Sequence, residues 1–136
     1  MDVALTGQCL CGEVAFEVSG RVSELYKCHC SLCRRYTGTS NSVMFATAKR
    51  NLTWLRGIDN ITSYVAPTGF SGAFCTTCGS PLPKTRWDKI YLVPMGTIDE
   101  APKFSEVVHL HTFSMATWDE IHDEYPQYED DFPSGV

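Results

Sequence analysis

Residues 13 to 18, EVAFEV, place Val14, Phe16 and Val18 on one face and Glu13, Ala15 and Glu17 on the other. That period of two predicts a half-buried strand, which Gly20 is expected to end. Four further runs are rich in β-branched and aromatic residues: NSVMFAT (41 to 47), ITSYVA (61 to 66), KIYLVPMGTI (89 to 98) and EVVHLHTF (106 to 113). Gly, Pro, Asn and Asp separate them at turn-forming positions, so each is expected to be a strand. Pro94 has no N–H to give to a ladder, so its run should be an edge strand, carry a bulge, or end near that point. Helix is scarce. The best start is TWDE at 117 to 120, with the Thr-x-x-Glu spacing of a capping box, and Pro126 limits it to about two turns. No repeat, low-complexity stretch or linker marks a boundary, and the pattern predicts one mainly β domain over residues 1–136.

Composition changes this picture little. A chain of 136 residues with 43% hydrophobic and 20% charged residues is long enough for one buried core and too apolar for disorder. The charge of -5 is uneven, because seven of sixteen acidic residues lie between Asp119 and Asp131. Without residues 119 to 136, eleven bases face nine acids, so the body is nearly neutral and lacks the basic stripe that nucleic-acid binding needs. The acidic segment 119–136 is expected to be solvated surface. No run approaches the roughly 20 apolar residues of a membrane span, and MDVALTGQCLCGEV shows no cationic leader, so the expected location is cytoplasmic. A reducing compartment favours metal-ligating or catalytic thiols over disulfides, and an odd count of seven cysteines agrees.

The seven fall into three clusters: Cys9 and Cys11 in GQCLCGEV, Cys28, Cys30 and Cys33 in KCHCSLCRRYTG, and Cys75 and Cys78 in FCTTCGSP. Cys-x-x-Cys-Gly suits a tight turn that converges two thiolates on one ion. Cys9 and Cys11, two apart on an expected extended segment, point to one side. Structural zinc takes four ligands, so the two doublets pair as one closed site of Cys9, Cys11, Cys75 and Cys78, clipping segments 64 residues apart. Cys28, Cys30 and Cys33 remain for a second zinc with one tetrahedral position open, the mark of a catalytic or exchangeable site.

His29 lies between two of these cysteines and is expected to face away from both, in a supporting or packing role, with ligation as the alternative. His109 and His111 are further candidates, though strand histidines are more often packed. Three thiolates on a divalent cation leave a net negative charge, which makes the ion less suited to ionising water and well suited to accepting a fourth sulfur. A small thiol fits the vacancy. Arg34 and Arg35 directly follow the third cysteine and are expected to offset the cluster's charge or grip a substrate carboxylate. Tyr36, Thr37 and Ser40 are the nearby hydroxyls that come into question as proton donors. The alternatives are a non-catalytic zinc-binding scaffold or thiol-binding module with both metals structural, and a redox or metal-buffering role for the three-cysteine cluster.

GQCLCGEV at 7 to 14, CHCSLCRRYTG at 28 to 38, FCTTCGSPL at 74 to 82 and, more weakly, HTFSMATWDEIHDEYPQYE at 111 to 129 resemble the glutathione-dependent formaldehyde-activating enzymes, a family that includes the domain of centromere protein V. The resemblance implies a small zinc-bearing β-tent with two zinc ions per chain, on the same partition of cysteines. It also implies carbon-sulfur lyase chemistry, in which glutathione and formaldehyde combine reversibly into S-hydroxymethylglutathione. The implied partners are a small thiol and an aldehyde, with no nucleic acid or membrane.

Overall fold

The computed structural model describes residues 1–131; the last five positions of the acidic segment 119–136 lie outside the described residues. The fold is mainly β; the described residues form ten strands and one short α-helix, and none of their helices is long and apolar enough to cross a membrane. The chain clusters into two compact units, Met1–Ser23 with Phe45–Lys103, and Glu24–Met44 with Phe104 onward.

In the first unit, β1 (Asp2–Gln8) pairs antiparallel with β2 (Ala15–Cys28), from Asp2 opposite Arg21 to Gln8 opposite Ala15. On the other edge of β2 lies β4 (Leu52–Arg56), with Val18 opposite Leu52 and Phe16 opposite Trp54. The strand order continues from β2 through β3 (Ser42–Ala48) and β9 (Ile90–Pro94) to β8 (Lys84–Arg86). A smaller antiparallel sheet holds β5 (Ile61–Val65), β6 (Ser71–Cys75) and β7 (Pro81–Leu82) in that order.

The predicted face of β2 is buried: Val14, Phe16 and Val18 are fully enclosed, while Glu13 and Glu17 are exposed. Enclosing Phe16 alone is worth about 2–3 kcal/mol by its apolar area. Its ring meets Trp54 edge-on at 5.7 Å, and Trp54 meets Tyr91 at 5.9 Å and donates its indole N–H to the Tyr91 hydroxyl. Edge-to-face rings place the positive rim of one over the negative face of the next.

Several expectations need correction. Gly20 does not end the strand. It adopts a positive φ inside β2, stays paired to Val3, and the alternation resumes with Val22, Tyr26 and Cys28 buried. A strand paired along both edges tolerates one glycine, because neighbouring ladder bonds hold the register. The run at 89 to 98, by contrast, takes one of its expected forms: the strand ends at Pro94 and gives way to a 3₁₀ turn, Met95–Thr97. β1, β4, β6, β7 and β8 were not among the predicted runs.

The second unit contains the end of β2 from Glu24, which pairs in parallel with β10 (Val107–Leu110), with Cys28 opposite Leu110. The only α-helix among the described residues is α1 (Ser31–Thr37), and no helix starts at Thr117. The chain beyond Thr117 is drawn to the free edge of β10. His109 N–H donates to Pro126 O at 2.8 Å, Tyr128 N–H donates to His109 O at 2.9 Å, and His111 N–H donates to Asp130 O at 2.9 Å. Between Thr117 and that edge the chain runs as turn and irregular structure. Glu120, the acidic member of the expected capping box, instead pairs with His122 at 3.0 Å.

Gly57 has φ +78, and a Cβ built there collides with the Glu13 carbonyl. Gly57→Ala is therefore expected to destabilise the fold by about 1–3 kcal/mol, from left-handed strain and lost backbone approach together. The urea midpoint reads it, and an unchanged midpoint would show that the 57 turn is not a constraint on the Glu13 segment.

Candidate metal and thiol site

Two loops bring four thiols together in the first unit. The first closes through Cys9 N–H to Val14 O at 3.1 Å and Gly12 N–H to Cys9 O at 3.1 Å; the second through Cys75 N–H to Ser80 O at 3.0 Å and Gly79 N–H to Cys75 O at 2.8 Å. Gly12 and Gly79 both sit at positive φ, +80 and +76, where a Cβ would strain the turn. Cys9 and Cys11 thus converge through a turn and not, as expected, along an extended segment. Leu10 N–H donates to the Ser80 hydroxyl at 3.0 Å and ties one loop to the other.

The sulfurs of Cys9, Cys11, Cys75 and Cys78 lie within 4.8 Å of one another, with Cys9 to Cys11 at 3.6 Å and Cys11 to Cys75 at 3.8 Å. Four sulfurs about 2.3 Å from a tetrahedral zinc stand about 3.8 Å apart, so the spacing fits that ion. The sulfurs also receive N–H donors, as metal thiolates do. Val14 N–H points at Cys9 Sγ at 3.4 Å, and the Asn60 side-chain amide at Cys75 Sγ at 3.4 Å. Asn60 is oriented by Glu13 Oε2 at 2.9 Å and the Thr77 hydroxyl at 3.0 Å, and Thr77 donates to the same Glu13 oxygen. The Ser80 hydroxyl at 3.2 Å from Cys78 Sγ leads the interactions that draw this thiol down to about 5.

The second cluster belongs to the second unit. Cys28 ends β2, Cys30 caps α1, and Cys33 lies in its first turn. Their three sulfurs lie within 4.8 Å of one another, and no histidine or carboxylate joins the group among the described residues. Cys30 Sγ accepts from Cys33 N–H at 3.3 Å, a place usually filled by a Ser or Asp oxygen. At the other end Gly38, at φ 70, returns its N–H to Arg34 O at 2.8 Å and stops the helix after seven residues. The stretch after Cys30 is therefore a short helix that carries Cys33 and both arginines together.

Without a cation these three thiols share protons unequally. Hydrogen bonds from Cys28 and Cys33 draw Cys30 down to about 2, and the bond to Cys30 pushes Cys28 far up. Crowding three sulfurs thus allows one thiolate cheaply and opposes the rest. A soft divalent cation is the species that lets all three ionise, so the donor set fits zinc.

Arg34 and Arg35 follow Cys33 on α1. Arg34 donates from Nη2 to Ser114 O at 3.2 Å, and its buried Nε has no hydrogen-bond partner; Arg35 is exposed. Thr37 donates to Cys33 O at 2.9 Å and Ser40 to Asn41 Oδ1 at 2.8 Å, so both hydroxyls serve the local backbone and turn. Burial raises the Tyr36 phenol further above its ordinary value and keeps it protonated.

His29 and His109 are not members of either thiol cluster; they hydrogen-bond to each other. His29 Nε2 lies 2.8 Å from His109 Nδ1, and both side chains are buried. Asp123 Oδ1 lies 2.9 Å from His109 Nε2, while Asp119 Oδ2 lies 3.8 Å from His29 Nδ1. Burial, more than any neighbouring charge, holds His29 below its usual range and favours the neutral ring. Two residues of the segment expected as solvated surface are thus half-buried partners of histidines, and nothing in their spacing signals it. Asn60 and Glu13 were also missed, since an amide and a carboxylate brought together across 47 positions leave no local pattern. His111, at φ 55, lies beyond the end of β10 and outside both clusters.

The family model for glutathione-dependent formaldehyde-activating enzyme matches residues 4–114. A Halomonas elongata protein that carries the same description as its provisional name is 29% identical over 126 residues, covering 86% of this chain and 80% of that protein. A crystal structure of a Rhodobacter sphaeroides protein superposes with a TM-score of 0.59 at 27% identity, covering 71% of this chain and 90% of that one. With both thiol clusters inside the matched span, the chain belongs to the glutathione-dependent formaldehyde-activating enzyme family.

Proposed function

We propose that the chain joins a small thiol, glutathione or one like it, to formaldehyde or a related aldehyde, reversibly, as a zinc-dependent carbon-sulfur lyase. The observation that carries this reading is the inequality of the two clusters: four thiols in one and three in the other, with no further side-chain donor completing the second among the described residues. Cys9, Cys11, Cys75 and Cys78 would hold a structural zinc, and Cys28, Cys30 and Cys33 a second with one position for substrate. A zinc ion held by three thiolates supplies a soft position that keeps a substrate thiol ionised near neutral pH.

The chain's own residues supply the rest. Arg34 and Arg35, carried on the same short helix as Cys33, would take the carboxylates of a peptide thiol through paired hydrogen bonds. Holding thiol and aldehyde together converts a bimolecular encounter into a positioned one. The substrate sulfur adds to the carbonyl carbon. A C–S bond forms, the C=O π pair moves to oxygen, and the proton that the thiol gives up ends on that oxygen; the lyase direction reverses each change.

Titrating the zinc-loaded protein with glutathione, followed by heat and by zinc-edge X-ray absorption, is expected to raise the sulfur count at one metal from three to four. An unchanged edge at millimolar thiol would sink the proposal. Cys33→Ser is expected to stay folded while turnover falls by about 100-fold or more. Cys78→Ser is expected to lose a zinc by elemental analysis and to lose cooperative unfolding. A Cys33→Ser protein that unfolds would make the second metal structural, and a stable, zinc-depleted Cys78→Ser protein would remove the structural role of the first.

A further inference from the structure

We infer that Asn60 is a positioning residue that sets how long the four-thiol site keeps its ion, acting through the sulfur of Cys75, with Glu13 and Thr77 holding it in place; this rests on the structural-zinc reading above. The amide nitrogen of Asn60, Nδ2, faces three atoms at once: Glu13 Oε2 at 2.9 Å, Thr77 Oγ1 at 3.0 Å and Cys75 Sγ at 3.4 Å. Thr77 gives its own hydrogen to the same Glu13 oxygen at 2.9 Å, so toward Asn60 its oxygen accepts. All three neighbours are therefore acceptors. Turned the other way, the amide would set its carbonyl oxygen against every one of them, so its surroundings fix the nitrogen toward the sulfur.

The backbone holds the same residue between the two thiol loops. Asn60 ends the 3₁₀ turn Ile58–Asn60, with its N–H donated to Gly57 O at 2.8 Å. Its carbonyl accepts from Thr76 N–H at 2.9 Å, inside the loop of Cys75 and Cys78. Four positions earlier Arg56 donates from Nε to Gly12 O at 2.8 Å, inside the loop of Cys9 and Cys11. Residues 56 to 60 thus join both loops. Glu13 and Thr77 come one from each loop, so the contacts that orient Asn60 also tie the loops together.

Charge explains what the amide does there. Four thiolates on a divalent cation leave a net charge of about -2, and an N–H aimed at one sulfur stabilises the ionised, metal-holding form. Cys75 is fully buried and Cys11 is exposed, so a competing ligand meets the site from the Cys11 side and Cys75 is the sulfur kept from it. The donor is placed on the sulfur that is reached last. A carboxylate near a negative cluster is unfavourable by itself, and the orientation it gives to Asn60 and Thr77 is what offsets that cost.

The test uses the protein loaded with ¹¹³Cd, an ion that takes the place of zinc and whose NMR frequency rises with the number of bound sulfurs, so the two clusters give separate signals. After excess EDTA is added, the decay of the four-sulfur signal measures release from that site alone. Release is expected to be about tenfold faster in Asn60→Ala. It should be faster still in Asn60→Asp, which keeps the shape of the side chain and turns an oxygen toward Cys75 and Glu13. The three-sulfur signal should decay at the wild-type rate in both. The four-sulfur frequency itself should also move in Asn60→Ala, which a loss of stability alone would not cause. If Asn60→Asp keeps cadmium as long as the wild type, Asn60 only fills space and the inference fails; unchanged release in Asn60→Ala has the same meaning. Glu13 is exposed, so Glu13→Gln puts the fold at little risk, and its release rate should fall between the wild type and Asn60→Ala. Should the Asn60 variants not fold, unchanged release in Glu13→Gln overturns the inference. A wild-type protein with no four-sulfur signal would remove the structural-zinc reading, and this inference with it.

Discussion

Sulfurs that converge within 4.8 Å of one another cannot all be ionised unless a cation sits among them, and this constraint governs the chain at both of its thiol clusters. The local backbone is arranged to serve it. Each loop of the four-thiol cluster turns on a glycine at positive φ, and amide N–H groups are aimed at sulfur, from Val14 in one loop and from the Asn60 side chain beside the other. The N–H···S contacts spread thiolate charge without adding a ligand. A small β protein gains from this, because an ion bound only in the folded state adds its binding free energy to a modest apolar core.

The second cluster is built from different parts. Its first sulfur ends a strand, its second caps a helix, and its third lies inside that helix, so three elements of local structure meet at one point. The second unit also holds polar groups at and below its surface: two buried histidines bonded to each other, two half-buried carboxylates facing them, and an arginine whose buried Nε lacks a partner. A scaffold requirement alone does not explain such an arrangement, since apolar side chains of similar size would cost less to bury. Perturbed ionisable groups in such surroundings cluster at functional sites.

Much of this was legible in the sequence, for identifiable reasons. Cysteine spacing reports directly on ligand geometry, so the partition into Cys9, Cys11, Cys75 and Cys78 against Cys28, Cys30 and Cys33 needed only a count of tetrahedral positions, and the sulfurs lie together as that count required. The alternation about Phe16 found the buried face of β2 because a period of two is a local property. Helix α1 escaped notice because its cap is a sulfur and its seven residues offer no amphipathic period. The Thr117 signal misled because a capping box describes only local gains, whereas Asp119 and Asp123, inside the expected helix, stand against His29 and His109. Asp119 and Asp123 looked like members of a solvated acidic run; their histidines lie 90 and 14 positions away, beyond any local pattern.

Helix α1 has one further implication. Seven residues are too few to hold a helix in water by propensity, and the side chain closing its first turn is the sulfur of Cys30. Whatever blocks that sulfur, whether an alkylating agent, a mixed disulfide or an over-oxidised acid, therefore removes a cap as well as a proposed zinc ligand. The guanidinium groups one and two places past Cys33 would lose their bearing at the same moment. On the proposed function, recognition of charge and capture of sulfur would then be lost together, through damage at one atom.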